Sequence, residues 1–149
     1  MMKVEAAREL AVQAHYGHLD RYGRPYIDHP LRVAQHRSLQ GDEMLIAAGL
    51  LHDTVEQGRA SWQQVRDAGA DAELLALLDA LTRRASECEA DYLLRVTRHP
   101  QAVRLKRVDL LDKLSPPYTQ GLSAGQIEVL HAAVVRRLAT ILEVLLCRC

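Results

Sequence analysis

Apolar residues recur along this chain at intervals of three and four, and nowhere do they alternate over the length of a strand. Val4, Ala7, Leu10, Ala11 and Ala14 define the apolar face of a first helix, which is expected to end at Gly17. A polar loop bearing Gly and Pro follows from His18 to Tyr26. Asp28-His29-Pro30 then reads as a helix start, with Pro30 at the first helical position, where a missing N–H costs no hydrogen bond. This second helix is expected to reach about Leu39 before a break at Gly41-Asp42, and a third, apolar helix covers Met44 to His52. Ser61 with Gln64, Ser86 with Glu89 and Ser123 with Gln126 all have the spacing of a capping box. Pro100 opens a helix through Leu114 that Pro116-Pro117 ends, and a last helix aligns Ile127, Leu130, Val134, Leu138, Ile141 and Leu145 on one face. No repeat, low-complexity tract or linker interrupts the pattern. The expectation is an all-α fold, one compact domain over residues 1–149 built from roughly six to eight helices packed on one another.

Composition narrows the possible partners. With 48% apolar residues the chain can bury a sizeable core, which excludes a disordered tail. Nineteen basic side chains balance nineteen acidic ones, so the excess of positive charge usual in proteins that bind nucleic acid or anionic membranes is missing. No apolar stretch approaches the roughly 18 residues of a membrane span, and Met1 to Glu9 carries charges where a leader needs an apolar run. Three cysteines, Cys88, Cys147 and Cys149, do not make a disulfide framework; Cys147-x-Cys149 is read as structurally incidental and the protein as cytoplasmic.

The strongest chemical signal is His52-Asp53, which follows Ala47-Ala48-Gly49-Leu50-Leu51. Ionisable groups at the end of an apolar helix are costly to bury unless something offsets their desolvation, and a divalent cation does so for an imidazole next to a carboxylate. On a regular helix neighbouring side chains diverge by about 100°, so other ligands must come from elsewhere. His29, at the mouth of a helix, and Asp109, mid-helix among apolar residues, are the candidates. Two imidazoles and two carboxylates leave coordination positions for water and substrate, as metal-assisted hydrolysis requires. Glu56, four residues after His52 and three after Asp53, is expected on their side of a helical turn, where its carboxylate can take a proton from water or orient it. From Arg83 to Arg107 seven basic residues face three acidic ones, which suits an anionic substrate.

Together these segments resemble the HD-domain metal-dependent phosphohydrolases, and in particular the small single-domain branch related to the hydrolase half of the RelA/SpoT alarmone proteins. The resemblance rests on Ala14-His15-Tyr16-Gly17, Gly23-Arg24-Pro25-Tyr26-Ile27-Asp28-His29-Pro30, His52-Asp53-Thr54-Val55-Glu56, Ala80-Leu81-Thr82-Arg83 and Leu105-Lys106-Arg107-Val108-Asp109, in that order. It implies an all-α HD-domain bundle in which His29, His52, Asp53 and Asp109 hold a divalent metal, usually manganese. It further implies hydrolysis of a nucleotide phosphate or pyrophosphate ester, with a (p)ppGpp-like 3′-pyrophosphate as the first expectation.

The chain departs from the pattern in three places. Gln57 stands where the alarmone hydrolases carry an Asp after the Glu; an amide can orient water but takes no proton at neutral pH. Asp20-Arg21 replaces an Arg-Lys pair, so a carboxylate stands where a guanidinium would stack on the purine. Lys113 replaces an asparagine found four residues after the metal aspartate.

The expected roles are therefore water activation by Glu56 with Gln57, and phosphate neutralisation by Arg21, Arg83, Arg84, Lys106 and Lys113. The alternatives are a catalytically weak module that binds nucleotide or metal to regulate a partner, and a nucleoside monophosphate phosphatase. Nucleotide synthesis is not expected of one domain. Tyr26 is read as a packing residue that positions the His29 loop, and His15, His18, His36, His99 and His131 as ordinary. The apolar last helix could pack on a second copy, as a homodimer, as well as on its own core.

Overall fold

A computed structural model describes residues 1–148; Cys149, and with it half of the Cys147-x-Cys149 pair, lies outside the described residues. The described residues form nine α-helices and one 3₁₀ turn, and no strand is present among them. The helices are α1 (Val4–Ala14), α2 (Asp28–Gln35), α3 (Glu43–Leu51), α4 (Trp62–Asp67), α5 (Ala72–Leu81), α6 (Glu89–Val96), α7 (Pro100–Asp112), α8 (Pro116–Thr119) and α9 (Ala124–Leu146). The 3₁₀ turn covers Arg37–Leu39.

α3 is the central element. It is apolar all round and buries Leu45, Ala47, Ala48, Gly49, Leu50 and Leu51, with α1, α2, α5 and α7 packed about it. Asp42 caps it by accepting from the Leu45 N–H. Gly49 is where α2 approaches most closely: a Cβ there would lie 3.3 Å from the Cα and N of Ala34. That approach sets the N-terminal turn of α2 beside the C-terminal end of α3.

Most expected helix ends match, and the exceptions have local causes. α2 starts at Asp28, two residues before the expected Pro30, because the first four helical N–H groups are unpaired in any case and the third position tolerates proline equally well. It stops at Gln35 rather than near Leu39: His36 turns extended and its Nδ1 accepts from the Ser38 N–H, capping the 3₁₀ turn. The capping boxes at Ser61/Gln64 and Ser123/Gln126 are formed. The one at Ser86/Glu89 is not. Cys88 caps α6, and the Glu89 carboxylate is drawn to Arg137 and Arg136 on α9 instead. Pro116-Pro117 ends α7 early, at Asp112, yet also begins the four-residue α8, since proline suits the first helical turn. α5 was not delimited by sequence periodicity.

Replacing Gly49 by Val would push branched carbons into the Ala34 backbone. Overpacking of this kind costs about 1–3 kcal/mol, so thermal unfolding of Gly49→Val is expected several degrees below that of the parent protein.

Candidate functional site

His29, on the first turn of α2, and His52, immediately after α3, face each other with ring centroids 5.4 Å apart. The helix stops at Leu51, so His52 and Asp53 occupy a turn rather than a continuing helix, which lets both side chains point the same way. His52 Nε2 lies 3.1 Å from Asp53 Oδ2 and 3.5 Å from Asp109 Oδ1. His29 Nε2 lies 2.9 Å from Asp109 Oδ1 and 3.8 Å from Asp53 Oδ2. The four residues singled out in the sequence, from three separate segments, thus converge. His29, His52 and Asp53 each offer a ligand atom within 4.8 Å of the others, and Asp109 joins them through Oδ1.

The orientation of both rings is fixed from behind. His52 Nδ1 donates to the Gly49 carbonyl at 2.7 Å, which satisfies an orphan helix-end acceptor and aims Nε2 at the carboxylates. That Nε2 is fully buried and has no hydrogen-bond partner although two carboxylate oxygens lie near it. His29 Nδ1 is 2.6 Å from Asp112 Oδ2, and Asp112 is in turn held by Arg32 at 2.9 and 3.2 Å. A ring donating to Asp112 presents Nε2 to the shared point, the carboxylate–histidine arrangement that supports metal ligands. Tyr26 donates its hydroxyl to Asp53 Oδ2 at 2.7 Å.

The electrostatics point the same way. Burial opposes a charge on His52, but Asp53 and Asp109 overcome it and raise its pKa to about 10. Burial likewise opposes the Asp53 charge, yet His52 holds that carboxyl far below its usual range. Asp109, with 3% of its side chain exposed, is also kept ionised despite burial, by Lys106 at 2.8 Å and Lys113 at 3.7 Å. A proton on His52 thus stands between the carboxylates, and a divalent ion, which fits the mixed nitrogen and oxygen donors, would take its place. Because the two lysines already offset the two carboxylates, a divalent ion would leave the site positive and receptive to phosphate.

A cleft of about 390 Å³ opens beside this cluster, lined by His29, Arg21, Gln57, Lys113 and Tyr118 among others, with Val129, Leu130 and Ala133 of α9 at its far side. Of the residues expected to meet substrate, Arg21, Gln57 and Lys113 line it. Glu56, Arg83, Arg84 and Lys106 are not among its lining residues. Lys106 is committed to Asp109. Arg84 pairs with Asp79 at 3.4 Å, and Arg83 donates through Nε to the Glu87 carbonyl. The Arg83 backbone N–H donates to Glu56 Oε1 at 2.6 Å, which fixes that carboxylate. Desolvation raises the Glu56 pKa, with the Arg83 N–H opposing and Asp53 adding to the rise.

The loop carrying Arg83 is itself braced by Arg95, whose guanidinium grips both oxygens of Glu87 at 2.8 Å and donates to the carbonyls of Asp79 and Thr82. Asp20 accepts from the N–H groups of Tyr22 and Arg24 and from Arg24 Nε, so the carboxylate that departs from the alarmone-hydrolase pattern organises its own loop. Arg24 in turn donates to the Tyr118 carbonyl and stacks on that ring, 4.8 Å from its centroid.

Several contributors escaped the sequence reading. Asp112 is three residues after Asp109 on the same face of α7, a spacing that could have marked it. Tyr26 does more than pack. His15, read as ordinary, is buried, 3.0 Å from His18 Nδ1, and its Nε2 has no partner; both rings stack with Tyr26. Burial pushes His15 down to about 4, so it is neutral at pH 7.

A family model described as an HD domain matches residues 7–112, a span that contains all four converging side chains and Asp112. A guanosine-3′,5′-bis(diphosphate) 3′-pyrophosphohydrolase of Borreliella burgdorferi is 37% identical over 78 residues, 52% of this chain and 12% of that protein. A probable GTP pyrophosphokinase of Mycobacterium leprae is 31% identical over 150 residues, 91% of this chain and 19% of that protein. A second guanosine-3′,5′-bis(diphosphate) 3′-pyrophosphohydrolase, from Aquifex aeolicus, is 29% identical over 121 residues, 75% of this chain and 17% of that protein. The chain thus spans less than a fifth of the length of these curated relatives. None of its described helices is long and apolar enough to cross a membrane.

The Arg95 brace carries a pH signature. Its hydrogen bonds hold the Glu87 carboxyl at about 2, below the ordinary 4.5. The stability this pair contributes is full above pH 4.5 and is lost as pH falls through about 2. Arg95→Met is therefore expected to lower the melting temperature near neutrality, and the gap from the parent protein should close between pH 4.5 and 2 in thermal melts.

Proposed function

This chain belongs to the HD-domain family, and from that premise we propose that its cleft is the active site of a divalent-metal-dependent phosphohydrolase. The substrate we favour is a nucleotide phosphate or pyrophosphate ester, first of all a 3′-pyrophosphate of the guanosine bis(diphosphate) kind, the class named for the relatives from Borreliella burgdorferi and Aquifex aeolicus. The observation that carries the reading is the buried, partnerless His52 Nε2 set beside His29, Asp53 and Asp109. His29, His52, Asp53 and Asp109 would hold the metal; the carboxylates admit manganese, the ion that the family resemblance implies, and the imidazoles admit it alongside other first-row divalent ions. Bound there, a divalent ion supplies Lewis-acid charge at the phosphoryl group and acidifies water.

The protein's own groups divide the remaining work. Glu56, held by the Arg83 N–H and raised in pKa, accepts the proton of the attacking water. Gln57, at the cleft wall, orients that water by hydrogen bond. Arg21 and Lys113 line the cleft and offset phosphate charge as it develops. Lys106 acts through Asp109, keeping that carboxylate ionised, and Arg83 and Arg84 contribute positive potential from outside the cleft lining. Tyr26 and Asp112 hold Asp53 and His29 in place.

Two features favour a second reading, a module that binds nucleotide without efficient turnover: Gln57 cannot serve as a base, and Asp20 is consumed by Arg24. Protein reconstituted with manganese, magnesium, zinc or cobalt and offered guanosine bis(diphosphate), other 3′-phosphorylated nucleotides and nucleoside monophosphates separates the readings by release of pyrophosphate or phosphate. Release of pyrophosphate from the first substrate is expected. Phosphate released only from monophosphates would make it a phosphatase, and tight binding with no turnover under any metal would overturn the enzyme reading.

Asp53→Asn is expected to lose bound metal and to lower activity more than about 100-fold, whereas Asp112→Asn should weaken metal binding by about 10–100-fold; metal content by elemental analysis distinguishes them. Gln57→Asp restores a second carboxylate beside Glu56 and should raise the rate of pyrophosphate release.

A further inference from the structure

α9 is amphipathic twice over. One face, with Val134 and Ile141 buried and Leu130, Leu138 and Leu145 half-buried, packs on the core through α6 and α7. The outward face carries Ala132, Val135, Ala139, Leu142 and Leu146, all exposed, with Val135 at 60%, Leu142 at 57% and Leu146 at 63%. Their spacing of three, four, three and four is the a/d pattern of a coiled-coil seam, and nothing among the described residues covers it.

The charges beside the seam say what covers it. In that heptad register Arg136 and Glu143 both fall at e positions, on one edge of the stripe. Two antiparallel copies related by a two-fold axis bring e positions against e positions. Arg136 of each copy then meets Glu143 of the other, twice over, and Ala139, near the axis, lets the helices approach. A parallel pair would set Arg136 near His131 and Glu143 near Leu138, with no such match. Arg136 can turn outward: among the described residues its ion pair is a 3.5 Å contact with Glu89, whose other oxygen is taken by Arg137.

We propose that this face of α9 is the interface between two copies of the chain, paired antiparallel through the Ala132–Leu146 seam and the reciprocal Arg136–Glu143 bridges. Because each helix is already formed and anchored on its own core, pairing does not have to bear the cost of ordering it. The seam covers only two heptads, so the expected dimer is reversible and concentration-dependent. The pairing is independent of the chemistry in the cleft.

Sedimentation velocity on the full chain across a hundredfold concentration range tests it. A monomer–dimer equilibrium is expected. Leu142→Glu, a change at an exposed position that circular dichroism should find folded, is expected to weaken it at least tenfold. Arg136→Glu should weaken it too, by opposing two like charges, and Arg136→Glu combined with Glu143→Arg should restore it. A monomer at every concentration, a dimer indifferent to Leu142→Glu, or a failure of the double exchange to restore pairing would overturn the proposal.

Discussion

Burying the Asp109 carboxylate in the last turn of α7 is the constraint around which the rest of this molecule is arranged. An ionised acid that deep is tolerable only if positive charge and hydrogen-bond donors surround it. Lys106 of α7 and Lys113 just past its end flank it from one turn on either side, α2 brings His29, and His52 follows the end of α3. The order of packing follows. α2 must come close enough to α3 for both rings to reach the same carboxylate, and a glycine at position 49 permits that approach. A side chain that looks like a local oddity of one helix thus determines how three helices meet.

Around this centre, each group that faces the shared point is held by another that does not. Gly49 fixes His52, Asp112 with Arg32 fixes His29, and Tyr26 fixes Asp53. Two of these supports also serve the fold: the Gly49 carbonyl is an unpaired helix end, and the Arg32–Asp112 pair ties α2 to α7. Stability and function are therefore not separable here. The further support through Arg95, Glu87 and the Arg83 N–H reaches Glu56 from outside and gives a structural reason for a run of basic residues that reads, in sequence, as a phosphate clamp.

How much of this was legible depended on whether the cause was local. Helix starts at Ser61 and Ser123 were readable because a capping box is complete within four residues. Ser86 failed because the fate of Glu89 was decided by arginines some fifty positions away. His52, Asp53 and Asp109 stood out because ionisable residues at or amid apolar segments need an explanation, and His29 because it stands at the mouth of a helix before Pro30. Asp112 and Tyr26 did not, since each sits where a polar residue is unremarkable and gains meaning only from its partner across the fold. The role of Asp20 was likewise hidden: the family resemblance registers a guanidinium that is missing, while the structure reveals an acid occupied in shaping its loop.

That loop also couples two side chains mechanically. Asp20 secures Arg24, and Arg24 fastens the loop to the Tyr118 carbonyl of α8. A lone exchange of Asp20 for arginine would not simply supply the guanidinium of the alarmone-hydrolase pattern; it would strand Arg24 beside a like charge and loosen one rim of the opening from the other. Positions 20 and 24 therefore act as a mechanical pair, and a charge reversal at the first leaves the second without the partner that aims it across the opening.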